Sequence, residues 1–148
     1  MTDIPSAGPA RNNLRSLVYF LGEIMDRKIA ERRKGTPYEK VRPSDIRVFV
    51  TAARSEMSIS EVARELGVSR QTVQASVQRL VTLGVVEVRA LPGSRRDKLV
   101  GVTARGALAQ KTAQQQILAV EADLAALVGE EKFEDLRQML EILVSSNA

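Results

Sequence analysis

Three glutamines recur at helical spacing in the segment SRQTVQASVQRLVTLG, residues 69–84: Gln71, Gln74 and Gln78. A carboxamide both donates and accepts hydrogen bonds, so it can recognise a surface that presents both kinds of partner. The N6 and N7 atoms of adenine form such a surface in the DNA major groove. The segment contains no Asp or Glu, which would repel phosphate. An ordinary solvated helix face also carries glutamines, so the pattern needs support from its surroundings.

The same segment has an apolar side that is expected to face a protein core. At about 100° per residue, Val73, Val77 and Leu80 lie opposite the glutamines. Ser69 is placed to cap the N-terminus of the helix, and Gly84 is placed to end it. The segment therefore predicts an amphipathic helix that is anchored by apolar side chains and exposes its amides.

A shorter helix is predicted immediately before it. Ser58 and Glu61 have the spacing of a capping box, and Gly67 can end the helix because glycine readily adopts left-handed backbone angles. Two short helices joined by a glycine-containing turn are typical of a helix-turn-helix, whose second helix enters the major groove.

A predicted β-hairpin follows the two helices. The β-branched stretches VVEVRA and KLVGVT, residues 85–90 and 98–103, are separated by the loop LPGSRRD. Arginines such as Arg95 and Arg96 suit the narrow minor groove of DNA and also bind phosphates with two hydrogen bonds. A solvated turn would explain the same cations, Arg95 more readily than Arg96. The position of the hairpin is that of the wing in a winged helix-turn-helix.

The helices and the hairpin together predict a domain that binds double-stranded DNA. Ser69, Arg70 and Arg79 are better placed for phosphates than for bases. The predicted contacts on the second helix are Ser69, Arg70, Gln71, Thr72, Gln74, Ala75, Gln78 and Arg79. Those on the wing are Ser94, Arg95, Arg96 and Lys98.

The composition limits the other function classes. The chain has no Cys and no His, which argues against disulfides, a thiol switch, a metal site and the commonest general base. It has no Gly-rich phosphate loop and no nucleophile motif, so we expect neither a cofactor nor an enzyme. No apolar run approaches the roughly 20 residues of a membrane span, so we expect a cytoplasmic protein without one.

Charge and periodicity divide the chain. Residues 1–103 carry 18 Lys and Arg against 11 Asp and Glu, whereas residues 104–148 carry 4 against 7, so only the first part favours a polyanionic partner. Apolar residues at helical spacing predict a mainly α protein with one small hairpin. The predicted divisions are a flexible tail, 1–12; an N-terminal helix, 13–36; the winged helix-turn-helix, 37–103; and two C-terminal helices, 104–148.

The segment from Ser58 to Gly106, SISEVARELGVSRQTVQASVQRLVTLGVVEVRALPGSRRDKLVGVTARG, resembles the DNA-binding core of the MarR family of bacterial transcriptional regulators. Its end, LVGVTARG, is more specific than the helix-turn-helix, which many regulators share. The resemblance implies a homodimer whose first and last helices interlock, and a repressor that binds a pseudo-palindromic operator. The long apolar stripes of those helices independently favour a partner.

The resemblance also implies a site for a small aromatic or phenolic ligand. Aromatic residues at helical spacing more often belong to a core, so this is the weaker inference. The residues that could line the site are Tyr19, Phe20, Tyr38, Arg47 and Phe49. Two positions depart from the family pattern. Ser94 stands where an Asp often precedes the wing arginine, Arg96, by two residues, and Ser76 stands where a larger apolar residue is common.

Two further functions are compatible with the sequence. An architectural protein would bind DNA with an affinity that depends steeply on salt but hardly on sequence. A winged helix used only for protein contacts would show unchanged DNA binding after loss of both Arg95 and Arg96.

Overall fold

The structure is a computed structural model that describes residues 13–148, so the predicted tail, residues 1–12, lies outside the described residues. The helices are α1 Leu14–Arg33, α2 Pro43–Arg54, α3 Ile59–Leu66, α4 Arg70–Thr82, α5 Ala104–Val128 and α6 Glu130–Ser145. The strands are β1 Met57–Ser58, β2 Val86–Ala90 and β3 Lys98–Val102. The predicted mainly α fold with a hairpin wing is confirmed.

The described residues form two compact units. The winged unit is Lys34–Ala113, and the helical unit consists of residues 13–33 and Gln114–Ala148. The division at residue 113 assigns the first ten residues of α5 to the winged unit, whereas the sequence suggests a boundary at residue 103. Those residues include Ala109, which packs against the core of the winged unit.

The predicted boundaries of the two short helices are confirmed. The Ser58 hydroxyl accepts a hydrogen bond from the Glu61 amide at 3.2 Å, and the Glu61 carboxylate accepts one from the Ser58 amide at 2.7 Å. These hydrogen bonds hold the pKa of Glu61 below its usual value. Gly67 ends α3 with a φ of 65°, and the Ser69 hydroxyl caps α4 by accepting from the Thr72 amide at 3.1 Å.

Thr103 connects the start of α5 to the end of α4. Its hydroxyl accepts a hydrogen bond from the Gly106 amide at 3.0 Å, which caps α5. The same hydroxyl donates to the Gly84 carbonyl at 2.6 Å, and the Thr103 amide donates to the Val85 carbonyl at 3.1 Å. One residue therefore fixes both the exit of α4 and the entry of α5.

The sheet has three antiparallel strands in the order β1, β3, β2. The hairpin register places Val88 opposite Val100, and Met57 pairs with Val100 from the other side. The two-residue strand β1 was not predicted, because a pair of residues shows no alternation and its pairing partner lies more than 40 positions away in the sequence.

The core of the winged unit is aliphatic. Val62 on α3, Val73 on α4 and Val100 on β3 are completely buried, and Val77 and Leu80 lie beside them. The apolar side of α4, which the sequence predicts to face the core, is therefore buried in it. The core fixes the orientation of α4 about its own axis, and with it the residues that α4 exposes.

The helical unit contains far fewer buried side chains than the winged unit. Neither α1 nor α6, both fully described, contains a buried residue, while Val120 and Ala125 of α5 are buried. None of the helices in residues 13–148 has the length and apolar character that crossing a membrane requires.

Candidate nucleic-acid interface

One side of α4 is exposed and carries no charge. Gln71, Gln74, Ala75 and Gln78 are all solvent-exposed, and we call these four residues the amide face. They are spaced i, i+3, i+4 and i+7, so they form a single stripe along the helix. The structure thus brings together the residues that the sequence predicted to read bases. Thr72 is also exposed, but its hydroxyl lies 2.8 Å from that of Ser69 and belongs to the cap.

Arg79 differs from its prediction as a DNA contact. Its guanidinium donates to the carboxylate of Asp45 on α2, with Nη2 2.7 Å from Oδ1 and Nε 3.1 Å from each oxygen. The Asp45 side chain is only 3% exposed. Because a buried carboxylate needs its counter-charge, Arg79 joins α4 to α2, and we leave it out of the proposed DNA contacts.

Ser76 completes this cluster. It is fully buried, and its hydroxyl accepts a hydrogen bond from Arg79 at 3.1 Å. Burial alone would raise the pKa of Asp45, but hydrogen bonds from Arg79, Ser76 and the Arg42 amide outweigh it, so the pKa lies below its usual value. The serine that departs from the family pattern therefore sits in a polar contact between α2 and α4, where a larger apolar residue would displace a hydrogen bond.

The wing is fastened by Asp97, which the sequence analysis did not identify as a site residue. Its carboxylate accepts from the Ser60 amide of α3 at 3.4 Å and from the Lys98 amide at 3.0 Å. Its own amide donates to the Ser94 hydroxyl at 3.0 Å, so Ser94 shapes the loop. Burial alone would raise the pKa of Asp97, but hydrogen bonds, led by those from the Ser60 side chain and the Lys98 amide, outweigh it, so the pKa lies below its usual value.

Arg70 joins the first turn of α4 to the wing. Its guanidinium donates to the backbone carbonyl of Arg96 and lies 3.8 Å from the Asp97 carboxylate. The family's usual aspartate is absent at Ser94, but here an aspartate three residues later braces the wing against an arginine of α4. This contact could not be predicted from neighbouring residues, because Arg96 and Asp97 lie 26 and 27 positions after Arg70 in the sequence.

The predicted cations of the wing remain exposed. Arg95, Arg96 and Lys98 all lie on the surface, and within residues 13–148 none of their side chains forms an ion pair. The wing therefore presents three positive charges close to the start of α4, because Arg70 bonds to the wing backbone. An exposed amide stripe beside exposed cations has the chemistry of a surface for bases and phosphates.

Residues 41–97 match a family model described as MarR family. This part of the chain is similar to the MarR family. The match extends from just before α2 through the wing loop, so it includes the whole amide face and both wing arginines.

Solved structures share the fold over most of the chain. A crystal structure of a mutant MarR from E. coli is 19% identical with a TM-score of 0.75, and the match covers 89% of this chain and 96% of that one. A MarR family regulator from Rhodococcus sp. RHA1 is 18% identical, with a TM-score of 0.70 and coverage of 93% and 96%. A Mycobacterium tuberculosis MarR family protein in complex with salicylic acid is 23% identical, with a TM-score of 0.67 and coverage of 88% and 96%. No curated protein sequence matches the chain.

The five residues suggested for a ligand site occur in both units of the chain. Tyr19 and Phe20 of α1, in the helical unit, are 62% and 45% exposed, and their rings meet edge to face with centroids 5.5 Å apart. In the winged unit, Tyr38 and Phe49 pack against the core, whereas Arg47 is exposed. The core contacts give Tyr38 and Phe49 a structural role that needs no ligand.

Proposed function

We propose that the protein is a homodimeric, sequence-specific DNA-binding transcriptional regulator. The observation that carries this proposal is the exposed, uncharged amide face of α4, held beside the wing arginines Arg95 and Arg96, which pair with no carboxylate in the described part of the chain. Amides that face the major groove would read bases, while the wing arginines would hold phosphates or enter the minor groove. The MarR-family match supports DNA-binding regulation as the general function, and it favours a regulator over an enzyme.

The proposed homodimer rests on the helical unit. A single chain leaves large apolar side chains of this unit in contact with water, which costs free energy that a second copy would recover. The exposed residues are Leu14, Leu17, Val18, Tyr19, Phe20, Ile117, Leu118, Leu127, Val128, Leu136, Met139, Ile142, Leu143 and Val144. A twofold dimer would present two winged units to a pseudo-palindromic operator.

The dimer is tested by its mass in solution. We expect light scattering at micromolar concentration to give about twice the 16.2 kDa of one chain. Ile142→Asp, which places a charge at an exposed apolar position of α6, is expected to shift the protein towards a monomer. A wild-type monomer at this concentration would contradict the proposal.

The regulator is proposed to act as a repressor by occupying its operator, and to release DNA on binding a small aromatic ligand. Two observations support the ligand: the salicylic acid in the complex of the Mycobacterium tuberculosis relative, and the exposed ring pair of Tyr19 and Phe20.

The alternative is an architectural protein with little sequence preference. It is supported by the excess of cations in residues 1–103 and by the exposed wing arginines. The two functions differ in how affinity depends on salt and on sequence, so the wing and the amide face can be tested separately.

Replacing both Arg95 and Arg96 by Ala is expected to weaken binding to every DNA sequence by about tenfold or more. For every phosphate that the protein no longer neutralises, the slope of log affinity against log salt should become shallower by about one. Fluorescence anisotropy with a specific and a scrambled duplex at several salt concentrations measures both quantities.

Lys132→Ala is the matched control, since it also removes an exposed positive charge but lies on α6 outside the winged unit. We expect its salt slope to equal that of the wild type. An unchanged slope after the double wing substitution would instead favour a winged helix that serves only protein contacts.

A further inference from the structure

We propose that the amide face selects A·T base pairs, and that each operator half-site carries a run of about three of them where α4 lies in the major groove. This inference rests on the proposed DNA-binding function. It adds the identity of the bases, which follows from how the structure holds the two arginines of α4.

Guanine is read in the major groove chiefly by Arg or Lys, which donate to its O6 and N7 atoms together. The only cations in α4 are Arg70 and Arg79. Arg79 bonds to both oxygens of the buried Asp45, and Arg70 bonds to the Arg96 carbonyl and faces Asp97. Both arginines are thus committed to intramolecular partners, and the helix has no other cationic side chain that could read guanine with two donors.

The amide face matches adenine in both of its functional groups. Adenine presents an acceptor at N7 and a donor at N6, so one carboxamide can satisfy both. Guanine presents two acceptors and cytosine one donor, so each would leave one group of the amide unpaired. The methyl group of Ala75 can contact the 5-methyl group of thymine, which neither guanine nor cytosine carries.

The length of the face sets the number of base pairs. Gln71 and Gln78 are seven residues apart, which corresponds to about 10.5 Å along a helix that rises 1.5 Å per residue. At about 3.4 Å per base pair, this distance covers roughly three pairs. The half-site is therefore expected to contain about three neighbouring A·T pairs for each copy of α4.

Selection of bound duplexes from random DNA, with the full-length protein, tests the proposal. We expect enrichment of two half-sites with A·T runs at their centres, and loss of preference at one position of each run for Gln74→Ala. Gln114→Ala, which removes an exposed amide from α5, is the matched control and should select the wild-type motif. Enrichment of G·C pairs throughout these runs would overturn the inference and leave the DNA-binding function intact, whereas binding without enrichment, or no binding, would overturn both.

A base analogue tests the hydrogen bond directly. In the selected duplex, 7-deazaadenine at one A·T position removes N7 and keeps the pairing. At the position read by Gln74, we expect it to weaken wild-type binding by about five- to 150-fold and to leave the already weakened binding of Gln74→Ala unchanged. Equal losses for the two proteins at every position of the run would show that this amide does not contact adenine N7 and would overturn the assignment.

Discussion

Replacing Gly106 by alanine is expected to destabilise the winged unit by about 3 kcal/mol or more. A β-carbon at this position would lie 2.0 Å from the carbonyl oxygen of Val85 and 2.8 Å from a methyl carbon of Val102. No rotamer change can relieve a clash with a backbone oxygen. The Val85 carbonyl cannot move freely either, because it accepts the hydrogen bond from the Thr103 amide. Urea unfolding of the purified protein measures the loss.

Gly22→Ala is the matched control for this substitution. Gly22 also lies within a helix, but a β-carbon added there has no neighbouring atom within 4 Å in the described part of the chain. Alanine favours helix by about 1 kcal/mol over glycine, so we expect this variant to equal or exceed the stability of the wild type. A Gly106→Ala protein as stable as Gly22→Ala would contradict the close packing of α5 against the end of α4.

The features that could be predicted from the sequence are those decided within a few residues. The capping box of Ser58 and Glu61, the stop at Gly67 and the cap at Ser69 each depend on neighbours three or four positions away. The amide face is of the same kind, because the opposite valines determine which side of α4 is buried. Features of this type can be predicted because they depend only on residues close in sequence and need no distant partner.

The features that could not be predicted depend on partners that are distant in sequence. Asp45 and Arg79 are 34 positions apart, and Arg70 reaches the Arg96 carbonyl across 26. An arginine on a helix near DNA-reading residues looks like a phosphate contact until its partner is known. Asp97 was missed for the same reason, because the Ser60 amide that its carboxylate binds lies 37 positions away in the sequence.

Removing the carboxylate in Asp45→Ala is expected to cost about 2–3 kcal/mol of unfolding free energy. Breaking a buried ion pair typically costs about 3–5 kcal/mol, because the remaining charge loses its partner. We expect a cost below that range because the Arg79 side chain is 37% exposed, so its guanidinium can form hydrogen bonds with water when the carboxylate is removed. Chemical denaturation at neutral pH gives the difference from the wild type.

The pair also has a pH signature that a simple packing defect would lack. The pKa of Asp45 is lower in the folded protein than its ordinary value of 3.8, so the ionised carboxylate stabilises the fold above that value. As the pH falls from about 5 through the lowered pKa, the folded protein loses this contribution. We therefore expect the stability difference between the wild type and Asp45→Asn to shrink on acidification. A difference that is constant from pH 7 to the acid limit of folding would contradict the ion pair.

A double-mutant cycle separates the pair from its surroundings. Asp45→Ala, Arg79→Ala and the double variant should show a coupling free energy of about 1–3 kcal/mol, since each single change removes the same interaction. Glu65→Ala is the control, because its ion pair with Arg54 lies on the surface of the same unit and should contribute less than about 1 kcal/mol. Because Arg79 lies one residue after Gln78, the pair also fixes the end of the amide face. Loss of stability without coupling would mean that Asp45 acts through its bonds to Ser76 and the Arg42 amide, and that Arg79 is available for DNA.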